Sequence, residues 1–119
     1  MSSRSSALLI IEHDFGVRQL YTRTLCEQYT LFEAHTLTEC IQVFNDTDIT
    51  VVIIEPHRPD GLGDTFLQAV RTHCGPRNIP IVVCSVLDAI QDTQHSGVHR
   101  HLVKPVSPER LRAEMLRLV

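Results

Sequence analysis

The sequence is short of everything that would place it in a membrane. Its longest uninterrupted aliphatic run is Ala7 to Ile11, far below the roughly 20 apolar residues a spanning helix needs. The leading Met-Ser-Ser-Arg-Ser-Ser has one basic residue but no apolar stretch ahead of a small-residue cleavage site, so residues 1–6 are read as a flexible leader and not as a signal peptide. A cytoplasmic location is the default expectation. Strong charge of either sign is also missing. Eleven basic and 14 acidic residues leave a net charge of -3, which argues against a phosphate-coating, nucleic-acid-binding footprint, and no helix-turn-helix segment is present. Repeats, low-complexity tracts and internal linkers are likewise missing.

The four cysteines, Cys26, Cys40, Cys74 and Cys84, include no Cys-x-x-Cys pair. This excludes a zinc knuckle and a thioredoxin-like redox motif, and each reads as a small buried apolar residue. What is present is enough for one core. A chain of 119 residues, 43% of them hydrophobic, fits a single domain, expected over residues 7–119, that needs neither disulfides nor a structural metal to fold.

Three runs rich in Ile, Val and Leu, at Ala7–Ile11, Ile49–Ile54 and Ile79–Cys84, predict strands buried on both faces. Weaker candidates are Leu31–Ala34 and His101–Val103. Helical spacing lies between them. Val17, Leu20, Tyr21, Thr24 and Leu25 follow one face, with Asp14 as N-cap, and Thr36 with Glu39 forms a capping box ahead of Cys40, Ile41 and Phe44. Phe66, Leu67 and Val70 mark a third helix and residues 87–94 a weak fourth. The fifth is predicted from Ser107 as N-cap, Pro108 in the first turn and the stripe Leu111, Met115, Leu118. Five strand-helix units in alternation predict an α/β sandwich with a parallel sheet and right-handed crossovers. In such sheets ligands bind beyond the carboxyl ends of the strands. That rule selects Glu12, His13 and Asp14, then Glu55, then Ser85 and Val86, then Lys104 and Pro105.

These residues carry a resemblance. Leu-Leu-Ile-Ile-Glu-His-Asp followed by Val17-Arg18, Ile-Ile-Glu-Pro-His-Arg-Pro-Asp-Gly-Leu-Gly at 53–63, Ile-Pro-Ile-Val-Val-Cys-Ser at 79–85 and Leu-Val-Lys-Pro at 102–105 together resemble the receiver domain of bacterial two-component response regulators. The resemblance covers residues 7–119. It implies a flavodoxin-like (βα)5 three-layer sandwich with strand order 2-1-3-4-5, and a signalling module that is not an enzyme in its own right. In that family an aspartate after the third strand accepts a phosphoryl group from a histidine kinase, two acidic residues after the first strand hold Mg²⁺, and a Ser or Thr and a Lys contact the phosphoryl oxygens. By position Glu55 matches the acceptor, Glu12 and His13 the acidic pair, Ser85 the hydroxyl and Lys104 the lysine, whose bond to the following proline is typically cis in the family. His101 matches an aromatic switch position, where an exposed imidazole is expected and pH sensitivity is the alternative. Pro59 and Gly63 match the turn after the third strand.

Two matches depart in kind. Glu55 is one methylene longer than an aspartate, which displaces the nucleophile toward the position of the phosphoryl group. An error near one ångström costs on the order of a hundredfold where geometry carries catalysis. The same length lets Glu55 imitate a phosphorylated aspartate by pairing with Lys104 and Ser85. It also permits an inert carboxylate in a disused pocket. His13 replaces a hard oxygen ligand, which weakens Mg²⁺ binding. Glu12, His13 and Glu55, with His57 from the next loop, form instead a candidate Zn²⁺ or Mn²⁺ set, against the simpler reading of a neutral imidazole beside Glu12 or Glu55. His95, His99 and His101 are a looser candidate cluster, read as a solvated loop. Val86 stands where a small residue is usual and is expected to narrow access, and Pro56 removes a backbone N–H beside the pocket.

The resulting expectation is an atypical, or pseudo-, receiver that works as a protein-interaction or dimerisation module without aspartate phosphorylation. Its partners by resemblance are a histidine kinase, an effector domain or a second copy, meeting the face of the fourth helix, fifth strand and fifth helix. The alternatives are residual Mg²⁺-dependent phosphoacceptor activity through Glu55 or Asp14, and the metal module.

Overall fold

Strands that are apolar at every position must be covered on both sides, and the sheet is built around them. The computed structural model describes residues 6–86 and 97–118. In chain order the elements are β1 (Ser6–Ile11), α1 (Phe15–Leu25), β2 (Tyr29–Glu33), α2 (Leu37–Asp46), β3 (Val51–Ile54), α3 (Gly63–Cys74), β4 (Ile81–Ser85), β5 (Arg100–Val103) and α4 (Pro108–Leu116). The last is the fifth helix of the sequence reading. The helix expected over 87–94, and His95, lie outside the described residues.

The five strands are parallel and ordered β2-β1-β3-β4-β5. Alternate residues of each central strand feed two cores. Leu9 and Ile11 of β1 join Val52, Ile54, Phe44, Phe66 and Leu67 on one side, while Leu8 and Ile10 join Tyr21, Leu25, Leu111 and Met115 on the other. Burying one such aliphatic side chain is worth about 1.5–3 kcal/mol. Between α2 and α3 the rings of Phe44 and His73 stack at 4.7 Å.

The predicted caps are in place. Asp14 accepts from the Val17 N–H at 2.9 Å, Thr36 from Glu39 at 3.1 Å, and Ser107 from Arg110 at 3.0 Å. Glu39 reaches back to the His35 N–H at 2.7 Å, one residue earlier than the standard box.

Several boundaries move. Ser6 belongs to β1, so the expected leader ends before it. β2 spans Tyr29–Glu33 instead of Leu31–Ala34, because an edge strand needs apolar residues on one face only and pairs from Tyr29 opposite Ser6. β3 starts at Val51, not Ile49, since the Thr50 hydroxyl takes up the Ala7 N–H and C=O at 2.9 and 3.0 Å. β4 starts after Pro80, which has no N–H for the ladder, and follows Asn78 at φ 56°.

Candidate functional site

The carboxyl ends of β1, β3, β4 and β5 bring Glu12, Glu55, Ser85 and Lys104 to one edge of the sheet. Glu12 and Glu55 follow apolar strands directly and are buried, as is Ser85 at the end of β4. Two buried carboxylates demand a cation. Lys104 supplies it, with Nζ 2.6 Å from Glu12 Oε1 and 3.1 Å from Glu55 Oε1. Burial alone would depress the lysine pKa, but hydrogen bonding and charge attraction from both glutamates outweigh it and raise the pKa above its usual value. The remaining carboxylate oxygens are also engaged. Glu12 Oε2 accepts from the Asp14 N–H at 3.0 Å, and Glu55 Oε2 accepts from the His57 N–H at 2.9 Å. The Lys104 N–H donates to the Ser85 carbonyl at 2.8 Å, and the Lys104–Pro105 peptide is cis.

Beneath this cluster Tyr21 of α1 is buried against Cys84. Its ionisation is driven up first by burial and then by the thiol and by Glu12 and Glu55. A wall of Val17, Leu20, Tyr21, Val86, Pro105 and Val106 extends from Lys104 as a mostly apolar hollow of about 310 Å³. Val86 is 63% exposed on it.

The residues singled out in the sequence divide into those the fold brings together and those it does not. Glu12, Glu55, Ser85 and Lys104 converge. His13 Nδ1 lies 3.6 Å from Glu12 Oε2 with its side chain 36% exposed, and Asp14 is occupied as a helix cap. Among the described residues no group of three or more His, Cys, Asp or Glu side chains is arranged to hold a metal ion. His57 is exposed, and Lys104 stands in ion-pair contact with both buried carboxylates. For the same reason the residues present do not fit Mg²⁺: the two carboxylates that would ligate it have their oxygens committed to donors of the chain. Among the described residues His99 belongs to no such cluster either, its Nδ1 accepting from the Ile81 N–H at 3.2 Å. His101 is not an exposed imidazole. It is half-buried on β5, and its Nδ1 is buried without a hydrogen-bond partner.

Two arginines of the site were not picked out from sequence. Arg18 donates through one guanidinium nitrogen to the carbonyls of Glu12 and His13 at 2.9 and 3.0 Å, and its Nε lies 3.6 Å from Glu33 Oε1. It fixes the loop that carries Glu12. Arg58 spans the loop after β3, bonded to Asp60 at 2.8 Å, reaching the His35 carbonyl and lying 4.2 Å from the centre of the Phe66 ring. An arginine one turn into a helix that follows an acidic loop, with Glu33 on the neighbouring strand, is the signal that would have found Arg18. For Arg58 the spacing Arg-x-Asp before a glycine is a weak equivalent.

Known proteins share this frame. The structure superposes on chemotaxis protein CheY4 of Vibrio cholerae with a TM-score of 0.84 at 22% identity, covering 98% of this chain and 100% of that one. It matches a two-component response regulator from Clostridium difficile with a TM-score of 0.80 at 24% identity, covering 95% of this chain and 94% of that one. A CheY-like receiver domain protein of Methanospirillum hungatei JF-1 gives a TM-score of 0.81 at 17% identity, with 96% and 93% covered. At these identities the likeness is one of fold. No curated protein matches the sequence. The family model of the response regulator receiver domain matches residues 8–116, nearly the whole chain and every strand end that carries the cluster, and the protein therefore belongs to the response regulator receiver domain family of two-component signalling.

Proposed function

We propose that this chain is a pseudo-receiver: a signalling module whose phosphoryl pocket is held closed by its own lysine and whose output is protein binding independent of phosphorylation. The observation that carries this reading is the Lys104 ammonium placed between the buried carboxylates of Glu12 and Glu55. In-line phosphoryl transfer needs a positioned nucleophile and a divalent cation to neutralise developing charge. Here the carboxylate at the acceptor position is spent on Lys104 and on the His57 N–H, and the side chain beside Glu12 is an imidazole. Glu55 reaches the lysine unaided, as a phosphorylated aspartate would, which supports imitation of the activated state over an inert pocket.

Receiver domains engage histidine kinases and effector domains. For this chain the proposed partner is an effector domain or a second copy, meeting the face that includes β5 and α4. Val103 and Leu116 on those elements are 47% and 58% exposed, an apolar presentation suited to such contacts. Among the described residues no helix is long and apolar enough to cross a membrane, and the proposed setting is the cytoplasm.

The test is intact mass after incubation with Mg²⁺ and acetyl phosphate. The wild type is expected to remain unmodified, while the double substitution Glu55→Asp, His13→Asp gains one phosphoryl group. A hydroxylamine-labile phosphoryl group on the wild type would replace this reading with that of a working acceptor at Glu55 or Asp14.

A further inference from the structure

At the edge of the sheet opposite Lys104, a groove of about 420 Å³ opens between the end of α3 and the starts of β4 and β5. Its size falls within the range of small-molecule sites. Arg71 enters it from the last turn of α3, with the stem of its side chain close against Gly97. The helix dipole favours a cation in this turn, but it does not require a guanidinium to be drawn half out of water, as Arg71 is. Arg18, Arg58, Arg100 and Arg110 each face a carboxylate. Arg71 is the one partly buried arginine among the described residues that has none, and among the described residues no Asp or Glu lines the groove.

Most other polar groups of the groove are donors or are already satisfied, the Asn78 amide offering both a donor and an acceptor. His99 Nδ1 accepts from the Ile81 N–H, so the neutral ring carries its proton on Nε2 and offers an N–H. Asn78, at φ 56°, adds an amide. The carbonyls that end α3 are taken within the chain: Arg71 C=O by Gly75 at 2.9 Å, Cys74 C=O by Ile79 at 3.0 Å, and Gly75 C=O by Asn78 at 3.2 Å. Ile79 and Ile81 supply an apolar wall. A planar fork of N–H donors that faces no carboxylate among the described residues, beside an apolar wall, matches a carboxylate borne on an apolar body.

We infer that this groove binds a small organic carboxylate, its two oxygens on the Arg71 guanidinium and its apolar body on Ile79 and Ile81. The site is separate from the Lys104 cluster and does not depend on how that cluster is used.

The experiment is a ¹H-¹⁵N titration of the full chain at constant ionic strength with benzoate, benzamide and inorganic phosphate. Benzoate is expected to shift the Gly75, Gly97 and His99 amides saturably. Benzamide, phosphate and benzoate on Arg71→Gln are each expected to bind about tenfold more weakly or worse, the size of one lost charge-assisted pair. If Arg71→Gln fails to fold, Arg71→Lys serves, since it keeps the charge and loses the fork. Absence of saturation at tens of millimolar benzoate, an equal response to benzamide, phosphate binding as tight as benzoate, or full binding to the Arg71 variant would each overturn the assignment.

Discussion

At the scale of single residues the decisive feature is one ammonium shared by two buried carboxylates. Removing one partner of a buried ion pair costs about 3–5 kcal/mol because the other charge is left uncompensated. Lys104→Met is expected to lose that much stability in urea unfolding, and Lys104→Met with Glu55→Gln to recover part of it. The lysine pKa is raised in the folded protein. Its contribution is therefore complete below the ordinary lysine value of 10.5 and is lost as pH climbs through the raised one. The gap in stability between wild type and Lys104→Met should shrink in that alkaline window. Asp60 behaves oppositely. Hydrogen bonding from Arg58 first, then from the Leu62 N–H, lowers its pKa to about 2. The contribution of this exposed clamp is present above pH 3.8 and fades as pH falls toward 2, so Asp60→Asn should lower the melting temperature at neutral pH and converge with wild type near pH 2.

The thiols complete the residue scale. Burial pushes Cys40 to about 11 and Cys74 to about 12, and raises Cys84 as well, while Cys26 is exposed. Reactivity follows the thiolate and its access. Native protein treated with iodoacetamide should gain a single adduct, on Cys26, read by intact mass and peptide mapping. The expectation that every cysteine is buried holds for Cys40, Cys74 and Cys84 and fails for Cys26, which lies exposed at the C-cap of α1. The roles of Arg18 and Arg58 were not legible in the sequence, because an arginine's partners are carbonyls and rings brought near by folding, which spacing along the chain does not record.

At the scale of elements, α3 shows what a small residue does next to the site. A Cβ on Gly63 would run into the backbone carbonyl of Pro56, the residue after Glu55. The glycine is needed for that close approach, while Gly61 at φ 77° makes the turn itself. Gly63→Ala should destabilise the fold by roughly 1–3 kcal/mol through overpacking, measured as a lower urea midpoint with an unchanged slope. Elements with their own signals were read well from sequence: caps at Asp14, Thr36 and Ser107, and strands apolar throughout. β2 was placed two residues late because a one-sided edge strand leaves a weaker pattern. His101 was misread as exposed because its cover comes from the fold and its own segment is polar.

At the scale of the whole molecule, parallel order and the position of the site followed from strand alternation and the rule that ligands meet the carboxyl ends of strands. Those two regularities carry most of the fold. The pairing of Glu55 with Lys104 was expected from the resemblance, but that the same lysine also neutralises Glu12 did not follow, since nothing local links Glu12 to a lysine 92 residues away. That separation has a consequence for the birth of the protein. While the chain emerges from the ribosome, β1 and β3 appear with both carboxylates long before their cation, and burying them in that interval is costly. Closure of the first three strands is therefore expected to be disfavoured until the fifth has been made, tying completion of the fold to synthesis of Lys104. A nascent chain arrested short of that residue should remain open to protease, and one extended far enough past the ribosome exit to release α4 should resist it.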